Sequence, residues 1–194
     1  EIDYFYVHEK IEWQSKIFKL FNINDDKLIS SKKYHHIKSD EIIAVEHPWY
    51  VKGLVQDEIA NLPDWIIFKL RQKLIKLSKK FDSNDKIFID RSDSVNSHCK
   101  LINNNEIIDY LNKKNFSSYK ISNLDFLEQV YLFNNAKIII GPHGAAFSNI
   151  IFSKAKTKIV EIIPDDHPSI KCQKISDVLA LNYTRLNKPK IVLP

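Results

Sequence analysis

Strand-forming runs alternate with amphipathic segments over most of the second half of the chain. Short β-strands are predicted for the runs rich in Ile, Val and aromatic residues, at 87–89, 118–121, 137–140 and 158–163. Helices are predicted where apolar residues recur at helical spacing, over 103–111, 122–133, 145–152 and 168–181. This alternation is typical of βαβ units. The sequence therefore predicts an α/β fold, a Rossmann-like parallel sheet with helices on both faces, for residues 61–194.

The first 60 residues have a different, more mixed pattern. Short strands are predicted at 4–7, 28–30 and 41–45, and a helix around Trp13 to Phe21. No internal repeat or long linker separates this stretch from the remainder. We interpret residues 1–60 as a partial N-terminal region with its connection to the following domain.

A longer helix is predicted after Pro63, which suits a first helical turn. Ile67, Leu70, Leu74 and Leu77 recur on one face, and lysines occupy most other positions. We expect the aromatic residues of this helix on its apolar face and the lysines on a solvated face. Nucleic acid is therefore not a predicted partner, although basic residues alone would suggest one.

Composition narrows the class of protein further. Apolar residues make up 44% and charged residues 27%, as in globular domains, and no apolar run is long enough to span a bilayer. Without a signal-peptide pattern, and with two cysteines too far apart for a zinc site or disulfide framework, we expect a cytoplasmic protein. The chain lacks Met, so we expect it to be a piece of a longer protein. The net charge is +5, from 29 basic residues against 24 acidic ones, and the basic residues are 26 Lys and only 3 Arg.

Glycine is scarce, and its placement is informative. The chain has 3 glycines where about 14 would be average, and two of them, Gly141 and Gly144, lie within four residues at a strand-to-helix junction. In an open parallel sheet this is the ligand-binding end, and helix N–H groups there attract anions. Either the loop binds a phosphate or diphosphate, or it is a tight turn that needs positive φ. The motif is neither a P-loop nor a dinucleotide fingerprint.

Three further residues lie where a nucleotide would be bound. Arg91 follows a strand directly and suits bidentate phosphate recognition, unless its position is incidental. Glu161 interrupts an apolar strand and suits ribose hydroxyls, unless it lies at a solvated sheet edge. His143, within the glycine loop, is a candidate for phosphate binding, for proton transfer or for holding the turn.

These motifs in this order resemble glycosyltransferase family 61, whose bacterial members are often called capsular polysaccharide biosynthesis proteins. The resemblance covers about residues 60–194, more weakly 13–29, and rests on four segments: Ile87–Asp93, Leu127–Val130, Ile140–Asn149 and Val160–Pro164. It implies a two-domain GT-B architecture, of which this chain holds the C-terminal, donor-binding half and lacks most of the N-terminal domain. It also implies inverting transfer of a sugar from a nucleotide-sugar donor to a glycan or lipid-linked acceptor, with peripheral membrane association as one further implication.

The resemblance also assigns residues. Arg91 and the loop of Gly141, Pro142, Gly144, Ala145 and Ala146 would meet the diphosphate, Asn149 and Glu128 would support that loop, and Glu161 would meet the ribose. Because the loop and Arg91 would neutralise the leaving diphosphate, neither a metal nor a cofactor is expected. His143 is the one candidate for the catalytic base. The alternative is a non-catalytic module that binds a nucleotide or another anion during polysaccharide assembly.

Overall fold

The computed structural model describes residues 2–8, 12–44, 62–94 and 99–188. The chain divides into two units, residues 1–47 and 48–194. The boundary predicted between residues 60 and 61 lies outside the described residues, and it stays a prediction.

The first unit contains a small parallel βαβ arrangement. It consists of β1 (Phe5–Val7), α1 (Glu12–Leu20), a single 3₁₀ turn (Asp25–Lys27) and β2 (Leu28–Ser30). Strands β1 and β2 pair in parallel, with Phe5 opposite Leu28. The predicted strand over 41–45 is wrong for residues 41–44, where Ile42 and Ile43 are exposed and no neighbouring strand is described. Val45 lies outside the described residues.

The second unit is a five-stranded parallel sheet with its helices. Its helices are α2 (Asp64–Leu77), α3 (Asn104–Asn112), α4 (Phe126–Asn135) and α5 (Lys171–Leu179). Its strands are β3 (Lys86–Asp90), β4 (Ser117–Lys120), β5 (Ile138–Pro142), β6 (Lys158–Pro164) and β7 (Asn182–Lys188). Two 3₁₀ helices, Ile121–Asn123 and Ala145–Phe152, follow β4 and β5. The predicted α/β, Rossmann-like fold is confirmed.

The strand order creates a crevice between β3 and β5. The order is β4-β3-β5-β6-β7 and every pair is parallel. The chain moves from β3 to one side and then crosses back to β5 on the other side. Right-handed crossovers therefore place α3 on one face and α4, the 145–152 helix and α5 on the other. The connections that leave the carboxyl ends of β3 and β5 run to opposite faces of the sheet, which makes this the switch point. Open α/β sheets bind ligands at such a point.

The core lies between the sheet and the helices that follow β4. Ile87, Phe88 and Ile89 of β3 are fully buried, as are Phe133 of α4 and Phe147 of the 145–152 helix. Helix α2 packs on α4 and on the 145–152 helix. A capping box begins α4, in which the Asp125 side chain accepts from the backbone inside the helix and the Glu128 side chain accepts from the Asp125 N–H.

Two expectations about helices are corrected. Trp65 and Phe68 of α2 are 62% and 51% exposed, so these aromatic side chains are not on the apolar face. The position of these aromatic residues therefore no longer argues against a nucleic-acid partner. That the protein binds no nucleic acid stays a prediction. Helix α5 begins at Lys171 instead of Pro168, because Arg185 donates to the carbonyls of Pro164, His167 and Ser169 and holds the preceding segment as a turn.

Within the described residues, every helix is too short or too polar to cross a membrane.

Replacing Gly141 by Ala tests the packing of the loop on the sheet. A Cβ at this position would lie 2.8 Å from Phe147 Cε2 and 2.9 Å from Ile89 Cβ. Because both neighbours are buried and cannot withdraw, we expect Gly141→Ala to lower the free energy of unfolding by about 1–3 kcal/mol. Urea denaturation measures this, with Ile138→Val in the same strand as a mild control. A Gly141→Ala protein as stable as the native one would contradict this account.

Candidate functional site

An open pocket of about 380 Å³ lies at the carboxyl ends of β4, β3 and β5. Arg91 and Asp93 reach it from the end of β3, and Ser122 reaches it from the end of β4. Ala145 and Ala146, at the start of the 3₁₀ helix after β5, form the opposite wall. The pocket therefore coincides with the crevice that the strand order creates.

The two loop glycines are required for close approach. Gly144 has φ 163°, which is extended backbone, and φ of Gly141 also lies outside the left-handed region. The alternative of a turn that needs positive φ is therefore wrong. A Cβ on Gly144 would lie 2.4 Å from Cζ of Arg91 and 2.7 Å from its Nε. The absence of a side chain at 144 thus lets the guanidinium lie directly against the loop backbone.

Two cations hold the carbonyls of the loop. Arg91 donates from Nη1 to the carbonyl of His143 and from Nη2 to Ser94 Oγ at 3.1 Å. Lys171 Nζ donates to the carbonyl of Gly144 at 3.2 Å. Because a trans peptide points its N–H away from its C=O, the next two amides face away from these cations. Within the described residues, the N–H groups of 144–146 have no acceptor, as expected at a helix N-terminus.

All three arginines of this lysine-rich chain donate to backbone carbonyls. Arg71 bonds to the carbonyls of Ile151 and Ser153 at the end of the 145–152 helix. Arg185 holds the turn before α5, and Arg91 holds the loop after β5. A guanidinium can serve two acceptors at once, which a single lysine does less well. Arg91 therefore has a structural role, and its contact with a phosphate stays a prediction.

A buried carboxylate lies behind the loop. Glu161 on β6 is 1% exposed and lies opposite Gly141 in the strand register. Its Oε1 accepts from His143 Nδ1 at 2.6 Å and from the Cys172 thiol at 3.0 Å. Its Oε2 accepts from the Tyr183 hydroxyl at 2.6 Å. Because β6 is an internal strand, the alternative of a solvated sheet edge is wrong for Glu161.

The protonation of this cluster follows from its contacts. Burial opposes ionisation of Glu161, but the hydrogen bonds from His143, Tyr183 and Cys172 outweigh it and lower the pKa of the carboxyl. Burial, together with the Glu161 charge, raises the pKa of the Cys172 thiol and of the Tyr183 hydroxyl. Glu161 is thus an anion that accepts hydrogen bonds from His143, Cys172 and Tyr183. Both of its oxygens are occupied, and a contact with ribose stays a prediction.

Three residues of this cluster are of types that can bind a metal ion, and they lie close together. Ligand atoms of His143, Glu161 and Cys172 lie within 4.8 Å of one another. Zinc would need a deprotonated thiolate. In this arrangement the Cys172 thiol donates a hydrogen bond to Glu161 Oε1, and Oε2 accepts from the Tyr183 hydroxyl. The arrangement fits a hydrogen-bonded cluster that fixes the position of the loop.

His143 is enclosed by this cluster. Its side chain is mostly buried, with 6% of the residue exposed, and its ring centroid lies 4.3 Å from that of His167. Its main-chain N–H donates to the carbonyl of Ile162. The residue therefore connects Glu161 behind the loop to Arg91 in front of it. Its action as a base stays a prediction.

The predicted supports of the loop are only partly brought together. Asn149 donates to Gln129 Oε1 at 2.9 Å, and Gln129 donates in turn to the carbonyls of Ile121 and Leu124. Glu128 caps α4 and pairs with Lys79 at 2.9 Å instead. Its role in supporting the loop stays a prediction.

Sequence reasoning missed five residues that hold the site, namely Ser94, Gln129, Lys171, Cys172 and Tyr183. Gln129 lies inside a segment that resembles the family, so that segment held a usable signal. Lys171 is one of 26 lysines and carries no such signal. The other three depend on the strand register and on the turn after β3, which the sequence pattern does not specify.

Removing the Glu161 carboxylate tests the buried cluster. Glu161→Ala leaves the buried His143 and Cys172 donors and the half-buried Tyr183 hydroxyl without an acceptor, so we expect it to lower the free energy of unfolding by more than about 2 kcal/mol at pH 7. The folded pKa of Glu161 is lowered, so its contribution is complete above the unfolded value of about 4.3 and is lost as the pH falls through the folded value. The difference between the native protein and Glu161→Gln should therefore shrink in acid. Urea denaturation at several pH values, with the exposed Glu106→Gln as control, measures both effects, and a pH-independent difference would contradict them.

The raised pKa of Cys172 predicts a protected thiol. Burial and the Glu161 charge keep it protonated at pH 8, so it should react with a disulfide reagent only when the protein unfolds. Half-buried Cys99 should react first. In Cys99→Ser the fast phase should disappear. A Cys99→Ser protein that reacts as fast in buffer as in urea would contradict this prediction.

Comparison with protein-family profiles identifies a family for this chain. The family profile described as glycosyltransferase 61 matches residues 4–160, which is most of the chain. The match extends further upstream than the resemblance noted above and includes most of the first unit. The search of curated proteins found no match. The pocket, the glycine loop and the switch-point topology are thus features of a chain that belongs to glycosyltransferase family 61.

Proposed function

We propose that the pocket between β3 and β5 binds the diphosphate of a nucleotide-sugar donor. Family membership implies glycosyl transfer. The observation that carries the finer proposal is the pocket wall at Ala145 and Ala146, whose N–H groups have no acceptor within the described residues. Unsatisfied N–H groups at a helix start attract a phosphate oxygen. Arg91, at the same pocket, adds a positive charge.

The proposed reaction is an inverting transfer. The acceptor hydroxyl oxygen forms a bond to the anomeric carbon of the sugar while the bond from that carbon to the diphosphate oxygen breaks. The hydroxyl proton passes to a base, and the nucleoside diphosphate leaves with the electron pair. The loop N–H groups and Arg91 stabilise the charge that develops on the leaving diphosphate. We propose on this basis that no metal or other cofactor is required.

His143 is the proposed base. Its Nδ1–H donates to Glu161, which leaves the lone pair on Nε2 available to accept a proton. Its low exposure requires the acceptor hydroxyl to approach closely past the loop. A base role predicts that His143→Gln lowers kcat by a larger factor than it weakens the affinity for nucleotide.

The acceptor and setting follow from the resemblance to family 61. We propose a glycan or lipid-linked acceptor, a role in capsular or other surface polysaccharide biosynthesis, and a cytoplasmic location in peripheral contact with the membrane. Nucleic acid is not a proposed partner. The missing part of the acceptor site is proposed to lie in a further N-terminal domain.

The burial of His143 favours one alternative. If no base reaches the pocket, the unit binds nucleotide without transferring sugar, as a module of polysaccharide assembly. Nucleotide binding without sugar turnover, in a longer chain that includes any further N-terminal domain, would support this alternative over the enzyme.

Calorimetric titration of UDP, GDP and CMP tests the proposed function. We expect one nucleotide to bind, and Arg91→Ala to weaken it by at least tenfold, as loss of a charged hydrogen bond of about 1.5 kcal/mol or more implies. Gly144→Ala should weaken it similarly, because its Cβ displaces the guanidinium. Arg185→Lys, at a carbonyl clamp outside the pocket, is the matched control. If none of the three nucleotides and no inorganic pyrophosphate binds, the proposal is wrong for this chain.

A further inference from the structure

The pocket contains two carboxylates with different surroundings. Asp90 is 7% exposed and accepts from the Ser92 N–H at 2.8 Å, from Ser92 Oγ at 3.0 Å and from Asn104 Nδ2 at 3.0 Å. Asp93 is exposed, and its Oδ2 accepts from the Ser122 hydroxyl. Its Oδ1 has no donor within the described residues. Asp90 is therefore committed to the fold, whereas Asp93 retains an acceptor for a ligand.

The walls of the pocket differ in chemistry. Ala145, Ala146 and Arg91 present hydrogen-bond donors and positive charge. Asp93 and Ser122 present a carboxylate and a hydroxyl. A carboxylate repels phosphate but accepts well from hydroxyl groups. The ligand that fits both walls carries an anionic group at one end and hydroxyl groups at the other.

The chemistry of Asp93 resembles that of the ribose-binding residue in parallel sheets that bind nucleotides. In dinucleotide-binding folds an acidic residue that follows the glycine loop in sequence accepts from the ribose hydroxyls. Asp93 precedes the glycine loop in sequence, but it follows β3, the strand that pairs with β5. Here the end of β4 supplies Ser122, whose hydroxyl fixes a carboxylate that comes from the loop after β3. Glu161, by contrast, lies on β6, two strands from β3, and has both oxygens occupied.

We propose that Asp93, held by Ser122, binds the ribose hydroxyls of the donor nucleotide. The nucleoside then lies over the end of β4 and the diphosphate over the start of the 145–152 helix. This inference rests on the proposed nucleotide site and deepens it. It predicts selectivity for ribonucleotides over deoxyribonucleotides, and it gives the ribose role to Asp93 instead of Glu161.

The test removes the Asp93 carboxylate from the protein and, separately, the ribose hydroxyls from the ligand. UDP, 2′-deoxy-UDP, 2′,3′-dideoxy-UDP and inorganic pyrophosphate are titrated into the native chain, Asp93→Ala and Ser122→Ala, with guanine equivalents if GDP is the better ligand. We expect the native chain to bind UDP at least tenfold more tightly than the dideoxy form, as a hydrogen bond to a charged group implies. In Asp93→Ala this preference should fall to about onefold, with Ser122→Ala in between. Asp109→Ala, an exposed carboxylate on α3, is the control and should keep the full preference.

The outcomes separate the two proposals. If Asp93→Ala keeps the preference for ribose, or if the native chain has none, the assignment of Asp93 is overturned while the diphosphate site stands. Pyrophosphate should bind Asp93→Ala at least as tightly as the native chain, because a repelling charge has been removed. If neither pyrophosphate nor any nucleotide binds the native chain, the proposed function fails and this inference fails with it. Circular dichroism of each variant verifies that it is folded.

Discussion

The hydrogen bonds of Glu161 are the constraint on which the loop geometry depends. One buried carboxylate joins β6 to β7 through Tyr183, to α5 through Cys172 and to the glycine loop through His143. The main-chain carbonyl of His143 accepts from Arg91. The guanidinium at the pocket is therefore positioned, through His143, by the Glu161 carboxylate. Both oxygens of the Glu161 carboxylate accept hydrogen bonds, so its negative charge is held between β6, β7, α5 and the loop. A buried charge is tolerated only when it is fully hydrogen-bonded, and this one is.

The pocket depends on the strand order of the sheet and on the side chains that line it. Reversal of the strand order opens the crevice, but the order alone says nothing about what binds there. The lining residues supply that information, since the pocket of about 380 Å³ is lined by Ala145, Ala146 and Arg91 as well as by the carboxylate of Asp93. A ligand with only phosphates would use half of this surface. A ligand with only hydroxyl groups would leave the helix N–H groups unsatisfied.

Much of the sheet and part of the site are readable from the sequence. The apolar runs at 87–89 and 158–163 predicted strands correctly, and the position of Gly141 and Gly144 predicted a loop at the sheet's ligand-binding end. The register of β6 against β7 is not readable from either strand alone, so the burial of Glu161 was missed. Similarly, helical spacing places Trp65 and Phe68 near an apolar face, but it does not say how wide a face the neighbouring helices cover.

The arginine clamps have a thermodynamic consequence for binding. The 145–152 helix is held at its start through Arg91 and at its end through Arg71, so both of its termini are fixed before a ligand arrives. The conformational entropy of the loop is lost during folding, so ordering the loop does not oppose ligand binding. The proposed anion site is in this sense preorganised, so we expect its affinity to be set by charge and hydrogen bonding instead of by loop closure.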